Sequence, residues 1–274
     1  MANILRMEKQ VAAVHALCEG TSIRAIERMT GIHRDTVMRL GVRVGEACAR
    51  MHDEVMRDLP CLRIQADEVW GFIGKKQKNA TEAEQAAGLG DVWTFVGFDP
   101  DTKLAPSYVV GKRDYAHTHR FVSDLASRMR SRIQLSTDGM TEYAASVEAA
   151  FGSDVDYGQI IKVYGSPSVT EQRRYSPPHV TSVQKYVLTG SPDEKGISTS
   201  LVERQNLTMR MHVRRLTRLT NAFSKKLENF RAAVALHFAY YNFVRMHGTI
   251  RATPAMEAGI AKSPLKVADL IALT

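Results

Sequence analysis

The chain has 274 residues, 44% hydrophobic and 24% charged, with a formal net charge of +8. This is ordinary globular composition, long enough for one large domain and a small one. No apolar run reaches the roughly 18–20 residues of a membrane span, and Met1–Arg6 lacks a secretory pattern. Cys18, Cys48 and Cys61 are scattered without a C-x-x-C pair, which argues against a disulfide framework or zinc cluster and points to reduced thiols in a cytoplasmic protein.

Residues 8–50 carry Val11, Val14, Leu17, Ile23, Ile26, Ile32, Val37, Leu40 and Val44 at helical spacings. Gly20-Thr21-Ser22 separates a first helix from a second, with Ser22 as N-cap, and Thr30-Gly31-Ile32 is a tight turn before a third helix from about His33. Helix, short Gly-containing turn and helix make a helix-turn-helix pattern, so residues 1–55 are expected to form a small all-α DNA-binding domain. Arg34, Thr36 and Arg39 would lie on the reading helix, facing bases or phosphates. The competing reading is a helical bundle used for dimerisation.

From Leu62 the pattern changes. Leu62–Ile73 and Val92–Phe98 read as strands, and Ala105–Gly111 as a shorter one joined to the second through the turn Asp99-Pro100-Asp101-Thr102. Tyr115–Ser131 reads as a helix, Ile133–Thr137 as a strand, Thr141–Phe151 as a helix and Gln159–Val163 as a strand. Three strands, helix, strand, helix, strand, helix is the order of an RNase H-like α/β fold, a mixed sheet flanked by helices. Residues 165–200, punctuated by Ser166-Pro167, Pro177-Pro178 and Ser191-Pro192, read as an insertion whose strand-like piece is Val180–Leu188. A long helix from about Thr199 and a second over Phe223–Val244 complete a catalytic domain spanning 62–250. Residues 251–274, with the helix-start signal Thr253-Pro254, form a C-terminal packing segment.

Three carboxylates stand beside apolar sequence: Asp67 in the first strand, Asp138 at the end of the fourth, and Glu203 near the start of the long helix. Phosphodiester cleavage or transfer builds negative charge on the attacking and leaving oxygens, and two Mg²⁺ (or Mn²⁺) ions held by carboxylates relieve it. The expected neighbouring of the first and fourth strands brings Asp67 and Asp138 together across 71 positions, from 67 to 138. At 100° per residue, Asn206, Arg210 and Arg214 follow Glu203 on one helix face. Between Glu203 and Arg251 there are ten Lys/Arg against two acids, a skew that suits a polyanion such as double-stranded DNA.

Asp67-Glu68-Val69-Trp70-Gly71-Phe72-Ile73-Gly74-Lys75-Lys76, Thr137-Asp138-Gly139 and Glu203-Arg204-Gln205-Asn206-Leu207 through Arg210 resemble a DDE transposase of bacterial insertion sequences, most closely the insertion sequence one family. Arg215-Leu216-Thr217-Arg218 and Ala222-Phe223-Ser224-Lys225-Lys226 also match, so the resemblance runs from about residue 62 to 247. It implies an RNase H-like fold, dependence on Mg²⁺, cleavage at element ends and strand transfer into target DNA. It also implies Asp67, Asp138 and Glu203 as catalytic metal ligands and Arg210 as the family's basic residue. Terminal inverted repeats and target DNA are the expected partners, bound by a homo-oligomer without any membrane. The chain departs from the family in lacking Cys for an N-terminal zinc module, and the 65 positions from 138 to 203 exceed the spacing of compact integrases.

Neighbouring Glu68 is expected to face away from Asp67 on a strand, leaving one of them in the site. Glu171 is a rival to Glu203 without a helix to hold it. His117, His119, His237 and His247 show no metal-like clustering, and Tyr240, Tyr241 and Phe243 read as core. Lys75, Lys76 and Arg218 are candidate phosphate contacts, Arg210 and Arg214 would hold phosphate, and Asn206 would orient Glu203. The rival functions are a non-catalytic helix-turn-helix regulator and an RNase H-like nuclease without strand transfer.

Overall fold

The computed structural model describes residues 5–165 and 180–274. Three helices open the chain: α1 (Met7–Cys18), α2 (Ile23–Thr30) and α3 (Arg34–Val55). The local chemistry explains their boundaries. The Ser22 hydroxyl accepts the Ala25 amide at the start of α2, and Gly31 at φ 68° closes it in the left-handed conformation that costs glycine least. The connection is the one expected from Thr30-Gly31-Ile32, but α3, at 22 residues, is far longer than a reading helix requires.

The sheet has six strands in the order β3-β2-β1-β4-β5-β6. β1 (Arg63–Ile73), β2 (Gly90–Phe98) and β3 (Ser107–Gly111) form an antiparallel meander. A short helix, α4 (Glu82–Ala86), interrupts the β1–β2 connection. β4 (Ile133–Asp138) joins β1 in parallel, and β5 (Val155–Tyr164) joins β4 in parallel. β6 (Val180–Thr189) pairs antiparallel with β5, so the described part of the insertion adds an edge strand. Helices α5 (Tyr115–Arg128) and α6 (Thr141–Phe151) are the links between the parallel strands. The arrangement is a mixed, open α/β sheet flanked by helices, compatible with an RNase H-like fold.

Two cores cover the sheet and a third lies outside it. Ile64, Ala66, Phe95 and Leu135 pack on Phe121 and Leu125 of α5 and Tyr143 and Val147 of α6. On the other face Val69, Val96 and Phe98 meet Val202 and Met209 of α7 (Ser200–His212) and Phe230, Val234 and Phe238 of α8 (Leu227–Ala239). Phe230 and Phe238 are fully buried. At about 1.5–3 kcal/mol per buried large side chain, packing rather than propensity holds α8.

The third core joins the two ends of the chain. Val14, Ile26, Val37 and Val44 of α1–α3 close against Leu236, Ala239 and Tyr240, and against Leu270 and Ile271 of α10 (Val267–Ala272). Residues 5–55 therefore share their core with α8 and α10. Thr253 caps the short α9 (Pro254–Glu257), with Pro254 in its first turn as the sequence signalled. Tyr240, Tyr241 and Phe243 are buried, in a π-turn that continues α8. Among the described residues no helix is long and apolar enough to cross a membrane.

Two expected helices differ in extent. The helix after Thr199 ends at His212, and Arg214–Leu216 forms a separate 3-10 turn whose Leu216 is buried. The helix expected from Phe223, α8, starts at Leu227, because Ser224 bridges to Ile73 and its carbonyl accepts the Gly74 amide at 2.8 Å.

Close backbone approach fixes α3 on α8. A Cβ on Gly45 would lie 2.2 Å from the Ala232 carbonyl oxygen. We expect Gly45→Val to lower unfolding free energy by about 1–3 kcal/mol or more, as overpacking does. Urea denaturation checks this; an unchanged midpoint at unchanged slope would mean the two helices do not meet here.

Candidate functional site

The carboxylates meet where the parallel part of the sheet ends. Paired residues of β1 and β4 run from Arg63↔Gln134 to Gln65↔Ser136, and two residues further along each strand stand Asp67 and Asp138. The carboxyl ends of parallel strands are where open α/β sheets leave a crevice for ligands. One ligand oxygen each of Asp67, Glu68 and Asp138 lies within 4.8 Å of the others.

Glu68 is the correction here. Strand alternation sends Glu68 towards Tyr143 of α6 and Asp67 towards α7, yet both carboxylates reach the same crevice. With the β1–β4 pairing ended at Gln65, the sheet no longer walls one face from the other. The Glu68 side chain is only 2% exposed; its Oε2 faces Arg113 Nε at 3.3 Å. Its Oε1 is buried near the Tyr143 hydroxyl, with no well-formed hydrogen bond among the described residues. Arg113 also approaches Asp138 Oδ2 at 3.7 Å and lies over the Trp93 ring at 5.1 Å. Sequence reasoning passed over this arginine, which stands in the Lys112-Arg113-Asp114 turn; only its place between a strand and a helix N-cap hinted at it.

Helix α7 is anchored by two amide side chains. Gln65 Oε1 accepts the Leu201 amide at 2.9 Å and the Val202 amide at 3.1 Å, supplying acceptors at the helix start. One turn on, Asn206 donates from Nδ2 to Asp67 Oδ2 at 2.8 Å. Asn206 thus orients Asp67 directly, not Glu203. Glu203 is exposed, and its Oε1 receives a hydrogen bond from Thr199 Oγ1 at 2.6 Å and an ion pair from Lys162 of β5. Its charge still acts on Asp67, but the tight carboxylate group comprises Asp67, Glu68 and Asp138.

Electrostatics bear the mark of crowded, buried acids. Burial, the main cause, pushes Asp67 up to about 6; Asp138 and Glu203 add to the rise, while the Glu68 amide and Asn206 oppose it. Burial likewise pushes Glu68 up to about 7, with Asp138 and Asp67 adding and Tyr143 and Arg113 opposing. Hard oxygen donors, surplus negative charge and a Glu68 oxygen without a well-formed hydrogen bond are what a hard divalent cation would satisfy. The geometry does not select one such ion.

The other expected residues are dispersed. Arg210 is half-buried rather than exposed, reaching the Trp70 carbonyl at 3.5 Å and the Leu216 carbonyl at 3.4 Å. Burial lowers its pKa, and the two long contacts reach β1 through Trp70 and the 3-10 turn through Leu216. Arg214 is off the Glu203 face because the helix has already ended. Lys75 pairs with Glu84 at 2.7 Å, and Lys76 sits over Trp70 at 5.7 Å. Arg218 is exposed. Arg34 and Arg39 are exposed on α3 and Thr36 is half-buried. Glu171 lies outside the described residues. No model of a known protein family matches the chain, and no curated protein matches it.

Stability should record the crowding. With folded pKa values raised above the unfolded ones, the folded state holds more protons, so these groups lose stability as pH rises from about 4 to about 7. Above that window we expect Glu68→Gln to stabilise the metal-free protein by on the order of 2 kcal/mol, and by little at pH 4. Thermal unfolding in chelator at both pH values measures it. Equal shifts at both would show that Glu68 is not charged at cost in the fold.

Proposed function

We propose that the protein is a DNA transposase of the DDE type, cutting element ends and joining the freed 3′ ends to target DNA. The observation that carries this reading is the convergence of Asp67 and Asp138 at the ends of two adjacent parallel strands, with Glu203 of α7 near enough for its charge to act on Asp67. The strand order β3-β2-β1-β4-β5, three antiparallel then two parallel, supports an RNase H-like catalytic domain.

On this reading Asp67, Asp138 and Glu68 hold a divalent cation, Mg²⁺ or Mn²⁺, and Glu203 contributes from α7 once Lys162 is drawn to another anion. Two such ions, when bound, neutralise charge on the attacking and leaving oxygens of a phosphodiester. The protein's own part is positional. Asn206 fixes the Asp67 carboxylate, Gln65 fixes the start of α7, and Arg113 balances the buried acids. Arg218 and the exposed Arg34 and Arg39 supply positive charge where a DNA backbone would pass. The three N-terminal helices, with the α2–Gly31–α3 connection, are the proposed end-recognition module, and a homo-oligomer would bring two ends together.

The test is incubation of the protein with Mg²⁺ or Mn²⁺ and labelled DNA carrying the sequences that flank its gene. Nicked and joined products are expected from the unaltered protein. Asp67→Asn, Asp138→Asn and Glu203→Gln should each reduce both by roughly 10⁴-fold while DNA binding persists, with non-additive losses in combination. Glu68→Gln should also fall well below the unaltered protein. Cleavage that survives Asp67→Asn would end the two-metal reading. DNA binding without any cleavage would favour the regulator, and nicking without joining the nuclease.

A further inference from the structure

A cavity of about 660 Å³ lies away from the carboxylates, between the N-terminal helices and the segment that follows α7. The first turn of α2 opens onto it at Ile23 and Arg24, and α8 forms its back through Ala233, Leu236 and His237. Its lining is of two kinds. Arg24, Arg214, Arg215 and Lys225 supply four cationic side chains, and among the described residues no carboxylate lines it. None of the four forms an ion pair among the described residues. Leu17, Met38, Phe223 and Leu236 supply apolar surface beside them.

Two polar atoms are enclosed in the wall behind this lining. His237 is 4% exposed, and its Nε2 is buried without a hydrogen-bond partner. Arg214 Nε is likewise buried and unpartnered. Arg215 is held by the Ser224 hydroxyl at 2.8 Å, which fixes its guanidinium in the wall.

The geometry points to a nucleotide-binding site: a phosphate held by the Arg24, Arg214, Arg215 and Lys225 cluster beside the start of α2, with its base on the apolar floor of Leu17, Met38 and Leu236. Anions settle at helix N-termini backed by cationic side chains, and ligand sites are concave, largely apolar and fitted with few polar groups. A mixed cationic and apolar lining matches a ligand with one charged and one flat apolar part. Its source is a single-stranded nucleotide of bound DNA, which rests on the transposase reading, or a free nucleotide. Both present the same chemistry to the cavity.

Isothermal titration of the full chain in EDTA separates this site from the carboxylates. The ligands are deoxyadenosine 5′-monophosphate, deoxyadenosine, deoxyribose 5-phosphate and a short oligo-deoxyadenylate. The monophosphate should bind at least tenfold more tightly than deoxyadenosine or deoxyribose 5-phosphate. Both Ala233→Phe, which fills the cavity, and the Arg24→Glu/Lys225→Glu pair, which reverses charges at exposed positions, should weaken it at least tenfold. The charge pair keeps the test decisive if the filled variant does not fold. An oligonucleotide binding more tightly than the monophosphate supports a DNA strand as occupant, and equal affinity supports a free nucleotide. No saturable monophosphate binding at millimolar concentration, or binding unchanged in the charge-reversed protein, overturns the proposal. Because no metal is present, that failure leaves the cleavage reading standing, and absence of cleavage leaves this one standing.

Discussion

The fastening of α7 to β1 by Gln65 and Asn206 is the interaction on which the rest of the site depends. Gln65 is 5% exposed and Asn206 8%, so both amides are themselves withdrawn from water and spend their hydrogen bonds on the seam between helix and strand. One holds the helix by its first amides and the other holds a carboxylate of the strand. Together they set the helix's height and rotation against the sheet. Glu203, Arg210 and the turn that carries Arg214 inherit their places from this joint. Gly71 permits the same closeness further along, since a Cβ there would meet Leu216 at 3.1 Å and Phe230 at 3.3 Å.

The joint also brings unlike electrostatic demands together. Asp67 and Glu68 are partly or wholly withdrawn from solvent beside Asp138, a placement that opposes their ionisation. Arg113 and Lys162 answer that charge from opposite sides, one from the turn after β3 and the other from β5. Arg113 stays near two of the acids, whereas Lys162 holds only Glu203. The helix carboxylate is thus the member of the group whose partner is exchangeable at the surface, with its side chain 44% exposed.

Local sequence chemistry carried much of this. Ser22, Gly31, Asp99-Pro100 and Thr253-Pro254 each mark a boundary through their own backbone or capping preference, and Thr141–Phe151 begins and ends where its pattern does. The order of strands and helices placed Asp67 next to Asp138 before any coordinate. What the sequence concealed was long-range. Nothing near Glu68 tells where the β1–β4 pairing stops, and alternation argues the wrong way as a result. Lys162 and Arg113 are ordinary strand and turn residues until the sheet is assembled. The end of α7 at His212 has no Gly or Pro to announce it; burial of Val213 and Leu216 turns the chain, overriding the charge periodicity that had seemed to include Arg214.

The shared core of the chain's two ends has a consequence in time. Val14, Ile26 and Val44 are made before the sheet, but Leu236, Tyr240, Leu270 and Ile271, which cover them, are made after it. Until then the nascent chain carries an uncovered apolar face, and the sheet between can form first. Contacts so distant in sequence close slowly, because a long loop must be ordered before they reward it. The waiting segment is the place where a chaperone has most to protect, and a ribosome that stalls before α10 would release a chain with α1–α3 still unsheltered.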